Sequence, residues 1–190
     1  MIKKIKASKS EKIIFFFVIS LAIFSLSSFF LIKNKCLFVK NYNPEKLSFD
    51  KPNNIAILNV ECGNVIIELY PNISPNAVER FKTLVRSKAY DDVAFHRVIK
   101  DSLVQAGDLE FGKKGNIDYG KIGTGQSGLG TINSEIEVPF YFERGSVGLA
   151  RTQKYNTEDS QFFITLKDEP LYESEYTPIG KVIYLSLIHI

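Results

Sequence analysis

Residues suited to metal and redox chemistry are scarce in this chain. Cysteine occurs twice, at Cys36 and Cys62. The two stand in no metal-ligand spacing; a disulfide framework is not expected, and cysteine use leaves the redox compartment open. Histidine also occurs twice, at His96 and His189, neither with a partner at metal-binding spacing. No metal and no cofactor is expected. Tryptophan is absent. The net charge of +3 is too small to argue for a nucleic-acid partner, and the N-terminal lysines supply it. With 190 residues there is room for one domain and an appendage.

What the chain does have, first, is a long apolar run. Ile13 to Ile32 carries no charge over 20 residues. As a helix it extends about 30 Å, the thickness of a bilayer hydrocarbon core. Lys3, Lys4, Lys6, Lys9 and Lys12 precede it; Lys33, Lys35 and Lys40 follow. The basic excess on the N-terminal side predicts a cytoplasmic N-terminus. The run is apolar on every face, unlike an amphipathic core helix. A cleaved signal peptide has a shorter apolar core and a small-residue cleavage site, whereas Phe29-Phe30-Leu31-Ile32 offers none. The reading is a basic segment over 1–12, an uncleaved single-pass signal anchor over 13–32, and a domain on the extracytoplasmic, periplasmic side. Secretion after signal cleavage is the alternative.

Residues 33–53 are polar, with Pro44 and Pro52, and read as a linker. A domain over 54–190 follows. Ile55–Val60 and Val65–Tyr70, separated by Cys62-Gly63-Asn64, read as a hairpin. Ser74-Pro75 is a helix start, with serine as N-cap. Ala77, Val78, Phe81, Leu84 and Val85 then recur at helical spacing. Glu79, Arg80 and Lys82 are expected on the solvated face. Further short strands are expected over Ser146–Ala150, Gln161–Thr165 and Pro178–Ile183. Many short strands with one clear helix indicate a mainly β, closed architecture.

Two stretches carry chemistry or imitate it. Phe95 to Asp108 sets Arg97 among apolar residues of a strand-like run, and a second run ends in Gln105 and a glycine turn. An arginine so placed needs a reason, because arginine is rarely buried unpaired. It reads as a cation aimed into a groove, or as a structural arginine paired with an acid. Gly123-Thr-Gly125-Gln-Ser-Gly128 matches a dinucleotide fingerprint, but that motif functions only between a strand and a helix. Neither flank here fits, so the glycines read as a loop with positive φ and close backbone approach.

Five motifs in order resemble the cyclophilin-type peptidyl-prolyl cis–trans isomerases, most closely the bacterial ones. They are Phe95-His96-Arg97-Val98-Ile99, Gln105-Ala106-Gly107-Asp108, Gly123-Thr124-Gly125, Ser160-Gln161-Phe162-Phe163-Ile164 and Gly180-Lys181-Val182. The resemblance implies an eight-stranded antiparallel β-barrel with two capping helices. It implies that Arg97 is catalytic, with Gln105 and Gln161 positioning it and the peptide backbone. It assigns Leu103 and Phe163 to the walls of a proline pocket and Ala150 to the peptide groove. Leu171, Tyr172 and Tyr176 fall at the rim. Ser102 stands where the family usually has a pocket phenylalanine. Arg151 stands where eukaryotic members have asparagine, and Leu171 where tryptophan or phenylalanine is usual. The family continues beyond Gly180-Lys-Val into a last helix and strand, so the reading here is a barrel truncated at its C-terminus, with an unpaired edge and impaired folding.

The residue types suit the reaction. Rotation about an X–Pro amide faces a barrier of about 20 kcal/mol and breaks no bond between heavy atoms, so no nucleophile or metal is required. A guanidinium that donates to the prolyl nitrogen gains most when the amide is twisted and the lone pair has returned. That is stabilisation specific to the transition state. Phe162 and Phe163, adjacent on a strand, must face opposite sides. His96 reads as a core residue. The function expected is isomerisation of proline-containing clients during extracytoplasmic protein folding, by a monomer. Two alternatives are a proline-peptide-binding or chaperone-like module with little turnover, and a structural anchor resting on the apolar segment alone.

Overall fold

The computed structural model describes residues 8–33 and 43–185. They fall into two units, each described by itself: an N-terminal helix and a β domain. The flanking basic residues Lys3, Lys4, Lys6, Lys35 and Lys40, together with Cys36, His189 and the expected truncated tail from residue 186, lie outside the described residues.

Helix α1 spans Lys9–Lys33 and takes in the whole uncharged run. Lys9–Leu31 is long and apolar enough to cross a membrane, and none of it is buried within the protein. The side-chain hydroxyl of Ser27 donates to the Phe24 carbonyl at 2.9 Å, so this polar group is satisfied within the helix.

The β domain is one antiparallel sheet of seven strands, β1 Ile55–Val60, β2 Gly63–Leu69, β3 Arg97–Ile99, β4 Leu103–Ala106, β5 Ser146–Leu149, β6 Phe162–Thr165 and β7 Pro178–Leu185. Their spatial order is β1-β2-β7-β5-β6-β4-β3. Register shifts at Ile66/Ile67 on β2 and Val147/Gly148 on β5 interrupt the two ladders to β7. Such bulges bend and twist a strand, and the sheet curls. The described residues do not close it into the expected eight-stranded barrel: β1 and β3 remain edges. Between Ile57 and Leu58 on one side and Tyr90 and Phe95 on the other lies a cavity of about 810 Å³, with Phe81 and Phe162 from the core among its walls.

The hairpin forms with a tighter turn than expected. Val60 pairs with Gly63, so only Glu61 and Cys62 turn, and Gly63 and Asn64 belong to β2. Cys62 is disulfide-bonded, although no disulfide framework was expected. Spacing rules find repeated frameworks and have no purchase on a single pair.

Helix α2, Pro75–Arg86, begins where Ser74-Pro75 places it. The Ser74 side chain makes no cap bond, however. Glu135, some 60 residues away in sequence, accepts from the Asn76 and Ala77 amides at 3.2 and 2.9 Å. A carboxylate there satisfies orphan N–H groups and suits the positive end of the helix dipole. Ala77, Val78, Phe81 and Leu84 are buried, while Val85 is largely exposed. Arg80 does not belong to the solvated face: it is ion-paired with the nearly buried Asp159.

The strands alternate strictly, and this builds two compartments. Val104, Ala106, Val147, Leu149, Phe162 and Ile164 join Ala77, Val78 and Phe81 of α2 in the main core. Phe81, Tyr90 and Phe162 meet there with ring centroids 5.2–5.5 Å apart. Leu103 and Phe163 lie in a second cluster with Phe142. Adjacent residues Phe162 and Phe163 thus serve opposite faces, as period-2 geometry requires.

Candidate active site

Register places the site. Arg97 on β3 sits opposite Gln105 on β4, Gln105 opposite Phe163 on β6, and Phe163 opposite Gly148 on β5. Residues directly opposite on neighbouring strands share a face. One row across four strands therefore sets a guanidinium, an amide, an aromatic ring and a position with no side chain on a single surface. Leu103, two residues from Gln105, lies on the same side.

At one end of this row Arg97 is exposed, not buried among its apolar neighbours; Val98 and Ile99 are exposed with it on the edge strand. Arg97 Nη1 donates to Gln105 Oε1 at 3.3 Å. No carboxylate among the described residues forms a salt bridge with it, so the structural ion-pair reading fails. Gln105 Nε2 donates to Gln161 Oε1 at 2.9 Å. Gln161 Nε2 in turn donates to the carbonyls of Gly123 and Gly125, both at 3.0 Å. The glycine-rich loop is flanked by neither strand nor helix and serves as a wall of the site.

Beside the row is an apolar cluster. Leu103, Phe142 and Phe163 are buried in it, with Phe140, Ala150, Tyr172 and Tyr176 packed against them. Phe163 meets Tyr172 and Tyr176 edge-on, with centroids 5.5 and 5.2 Å away, and stacks on Phe142 at 5.9 Å. Gly148 makes room for these rings: a Cβ there would stand 2.6 Å from Phe163 Cζ and 3.0 Å from Phe142 Cε1. Burial raises the Tyr172 phenol above its ordinary pKa, so it remains a neutral member of the cluster. A neighbouring hollow of about 230 Å³ is lined by Gln105, Thr124, Ala150, Arg151 and Gln161.

Of the site residues expected from sequence, Arg97, Gln105 and Gln161 are joined by hydrogen bonds. Leu103, Ala150, Phe163, Tyr172 and Tyr176 share the apolar cluster. Leu171 stands apart: it is 83% exposed and outside that cluster. Ser102 donates to the nearly buried Glu169 at 2.7 Å, so the position lacking a phenylalanine is polar and satisfied.

Several contributors were not anticipated. Phe140 and Phe142 belong to no strand; their spacing of two was the available signal. Arg151 is held by Glu175, through its carbonyl at 2.9 Å and its carboxylate at 2.7 Å, and lies over the rings of Tyr155 and Tyr176 at 4.2 and 5.1 Å. His96, next to Arg97, has its pKa lowered chiefly by burial, against the opposing pull of Asp108. The shift favours its neutral form, and the residue is half-buried rather than part of the core as expected.

Known proteins are similar to this chain in sequence and fold. The family described as cyclophilin type peptidyl-prolyl cis-trans isomerase/CLD matches residues 55–188. A probable peptidyl-prolyl cis-trans isomerase of Brucella suis is 44% identical over 135 residues, covering 70% of this chain and 67% of the relative. A peptidyl-prolyl cis-trans isomerase of Schizosaccharomyces pombe is 32% identical over 127 residues, covering 66% and 76%. Among solved structures, a cyclophilin-type isomerase of Cryptosporidium parvum, determined in the presence of the dipeptide Ala-Pro, aligns with a TM-score of 0.56 at 30% identity, covering 65% of this chain and 74% of that one. Cyclophilin AquaCyp293 from Hirschia baltica has the same fold, with a TM-score of 0.59 at 21% identity over 75% and 71% of the two chains. The profile match over most of the chain, together with the site just described, shows that the chain belongs to the cyclophilin-type peptidyl-prolyl cis–trans isomerases.

Proposed function

We propose that Arg97 catalyses the isomerisation by donating to the prolyl nitrogen as the X–Pro amide twists. The observation that carries this is the guanidinium with no carboxylate partner among the described residues, tethered by Gln105 at 3.3 Å, on the same face as the aromatic cluster. An arginine paired with an acid would have its charge spent; this one keeps N–H groups for a substrate. Leu103, Phe163, Tyr172 and Tyr176 hold the proline ring. Gln161 and Ala150 contact the peptide backbone, and Leu171 meets residues beyond the proline at the exposed rim. Each ~1.4 kcal/mol gained by the guanidinium in the twisted state multiplies the rate tenfold.

The experiment is turnover of a proline-containing peptide by the detergent-solubilised full chain and its Arg97→Ala variant. Loss of about 100-fold or more in kcat/KM, with peptide affinity and thermal melting retained, is expected. Undiminished turnover refutes the assignment. Equal peptide binding with no turnover by the unsubstituted protein favours a binding module instead.

The same reading places the domain, as a monomer, on the extracytoplasmic side of a membrane, anchored by α1 and acting on unfolded clients there. The length and apolarity of Lys9–Leu31 support it, as does the disulfide at Cys62, because such bonds persist in oxidising compartments. Protease added outside intact inner membranes should digest the domain; protection until lysis would overturn the placement.

A further inference from the structure

Asp108 is a wholly buried carboxylate that the reaction itself does not use. One of its oxygens accepts from the backbone amides of Glu110 and Phe111, at 3.2 and 2.7 Å. The other accepts from those of Gly123 and Gly125, at 2.6 and 3.0 Å. All four donors are main-chain groups. The first pair folds the chain directly beyond β4. The second pair pins a loop 15 and 17 residues further on. The fit is close: a Cβ on Gly125 would stand 2.1 Å from Asp108 Oδ1, and Gly123 has φ +95°.

The pinned loop returns to the site through its carbonyls. A primary amide has two N–H donors and one acceptor oxygen. Both N–H groups of Gln161 are used on the carbonyls of Gly123 and Gly125. Its oxygen is therefore the group that faces Gln105, and it accepts from Gln105 Nε2 at 2.9 Å. Gln105 must then present its own oxygen to Arg97. Each amide's orientation is dictated by the one before it. If the two carbonyls move, Gln161 is free to flip, and Gln105 can flip after it. An N–H group of Gln105 would then face the N–H groups of Arg97, and the tether becomes a repulsion.

We propose that Asp108 is a positioning residue for Arg97: by holding the Gly123–Gly125 loop it sets the polarity of the Gln161–Gln105 relay. This rests on the assignment of Arg97 given above. An ionised carboxylate suits the task, because it only accepts and offers about four lone-pair directions to the four amides that surround it. Burial alone would raise the pKa of Asp108, but the four amide hydrogen bonds together outweigh it and lower it, which favours the ionised form. Asparagine would turn an N–H2 group toward two of those amides and leave them unsatisfied.

The test is a double-mutant cycle on the full chain in detergent, read by kcat and by peptide affinity separately. Asp108→Asn should lower kcat about tenfold, because a displacement of the order of 1 Å suffices for such losses, while the peptide dissociation constant changes less than about twofold. In a Gln105→Ala background the relay is already cut, and there Asp108→Asn should cost less than about twofold. Equal losses in both backgrounds, or no loss in either, overturn the proposal and leave the role of Arg97 standing. Full activity of Arg97→Ala would instead remove the assignment on which the proposal rests. Should Asp108→Asn lose its cooperative melt, Gly123→Ala passes through the same cycle, since it keeps the carboxylate and shifts the same carbonyl. A loss confined to the background with Gln105 intact supports the relay, and additive losses overturn it.

Discussion

Replacing Gly148 by alanine tests whether the sheet row itself shapes the apolar cluster proposed to hold proline. The added Cβ would lie 2.6 Å from Phe163 Cζ and 3.0 Å from both Phe163 Cε1 and Phe142 Cε1. Carbon atoms in contact prefer roughly 3.5–4.0 Å, so Phe163 must retreat by about 1 Å. It has little room to do so. Phe163 is 3% exposed and Phe142 2%, and Tyr172 and Tyr176 also pack edge-on against Phe163. Overpacking of this kind costs about 1–3 kcal/mol, and each kcal/mol lowers the melting temperature of a domain this size by roughly 3–5 °C. The catalytic effect should be larger than the stability effect. Phe163 stands directly opposite Gln105, and displacing a positioned group by about 1 Å can cost 100-fold. A circular-dichroism melt and a peptide isomerisation assay on the same preparation give both numbers. Wild-type melting and wild-type turnover together would show that the rings do not depend on the missing side chain, and the row argument would fail.

Other substitutions probe the supports of the site. Arg80→Ala should cost about 3 kcal/mol in chemical denaturation, since it leaves the buried Asp159 without its ion-pair partner; a cost near zero would mean that the pair is no more than a surface contact. Arg151→Ala removes the clamp over Tyr155 and Tyr176, and should raise KM several-fold, on the order of 1 kcal/mol, with kcat little changed; an equal fall in kcat with unchanged KM would contradict a role in shaping the groove. The pH profile of kcat/KM should be flat between about pH 6 and 9, because arginine and glutamine do not titrate there; an inflection in that window would implicate a titrating group. His96 adds a stability effect of definite sign. Its pKa is lowered in the folded protein, so below about pH 6.5 the unfolded chain takes up a proton that the folded one refuses, and stability falls as the pH drops. His96→Gln should flatten that limb of the stability curve, and an unchanged limb would place the titration elsewhere.

Much of this was legible in the sequence, for a definite reason. A strand's side chains alternate with period two, so Phe162-Phe163 had to divide between core and pocket, and Leu103 and Gln105 had to share a face. The start of α2 was written in Ser74-Pro75, and the apolar run over 13–32 foretold α1. These are local properties, carried by residues a few positions apart. Contacts across long separations left no such trace. Arg80 reads as one more charge on a helix surface until Asp159, 79 residues later, is brought beneath it. Glu135 gives no sign of capping a helix some 60 residues earlier.

The sequence by itself determined the curled sheet's strands, the apolar helix, the family, and Arg97 as the candidate for the chemistry, because each is encoded in short-range pattern or in ordered motifs. Only the tertiary structure decided that no carboxylate among the described residues forms a salt bridge with Arg97, that Phe140 and Phe142 join the apolar cluster, and that the described sheet stays open between β1 and β3. It also decided that Asp108 gathers four amides from two distant turns. Hydrogen bonds and ring contacts act over a few ångströms in space, and the fold alone brings such distant positions that close.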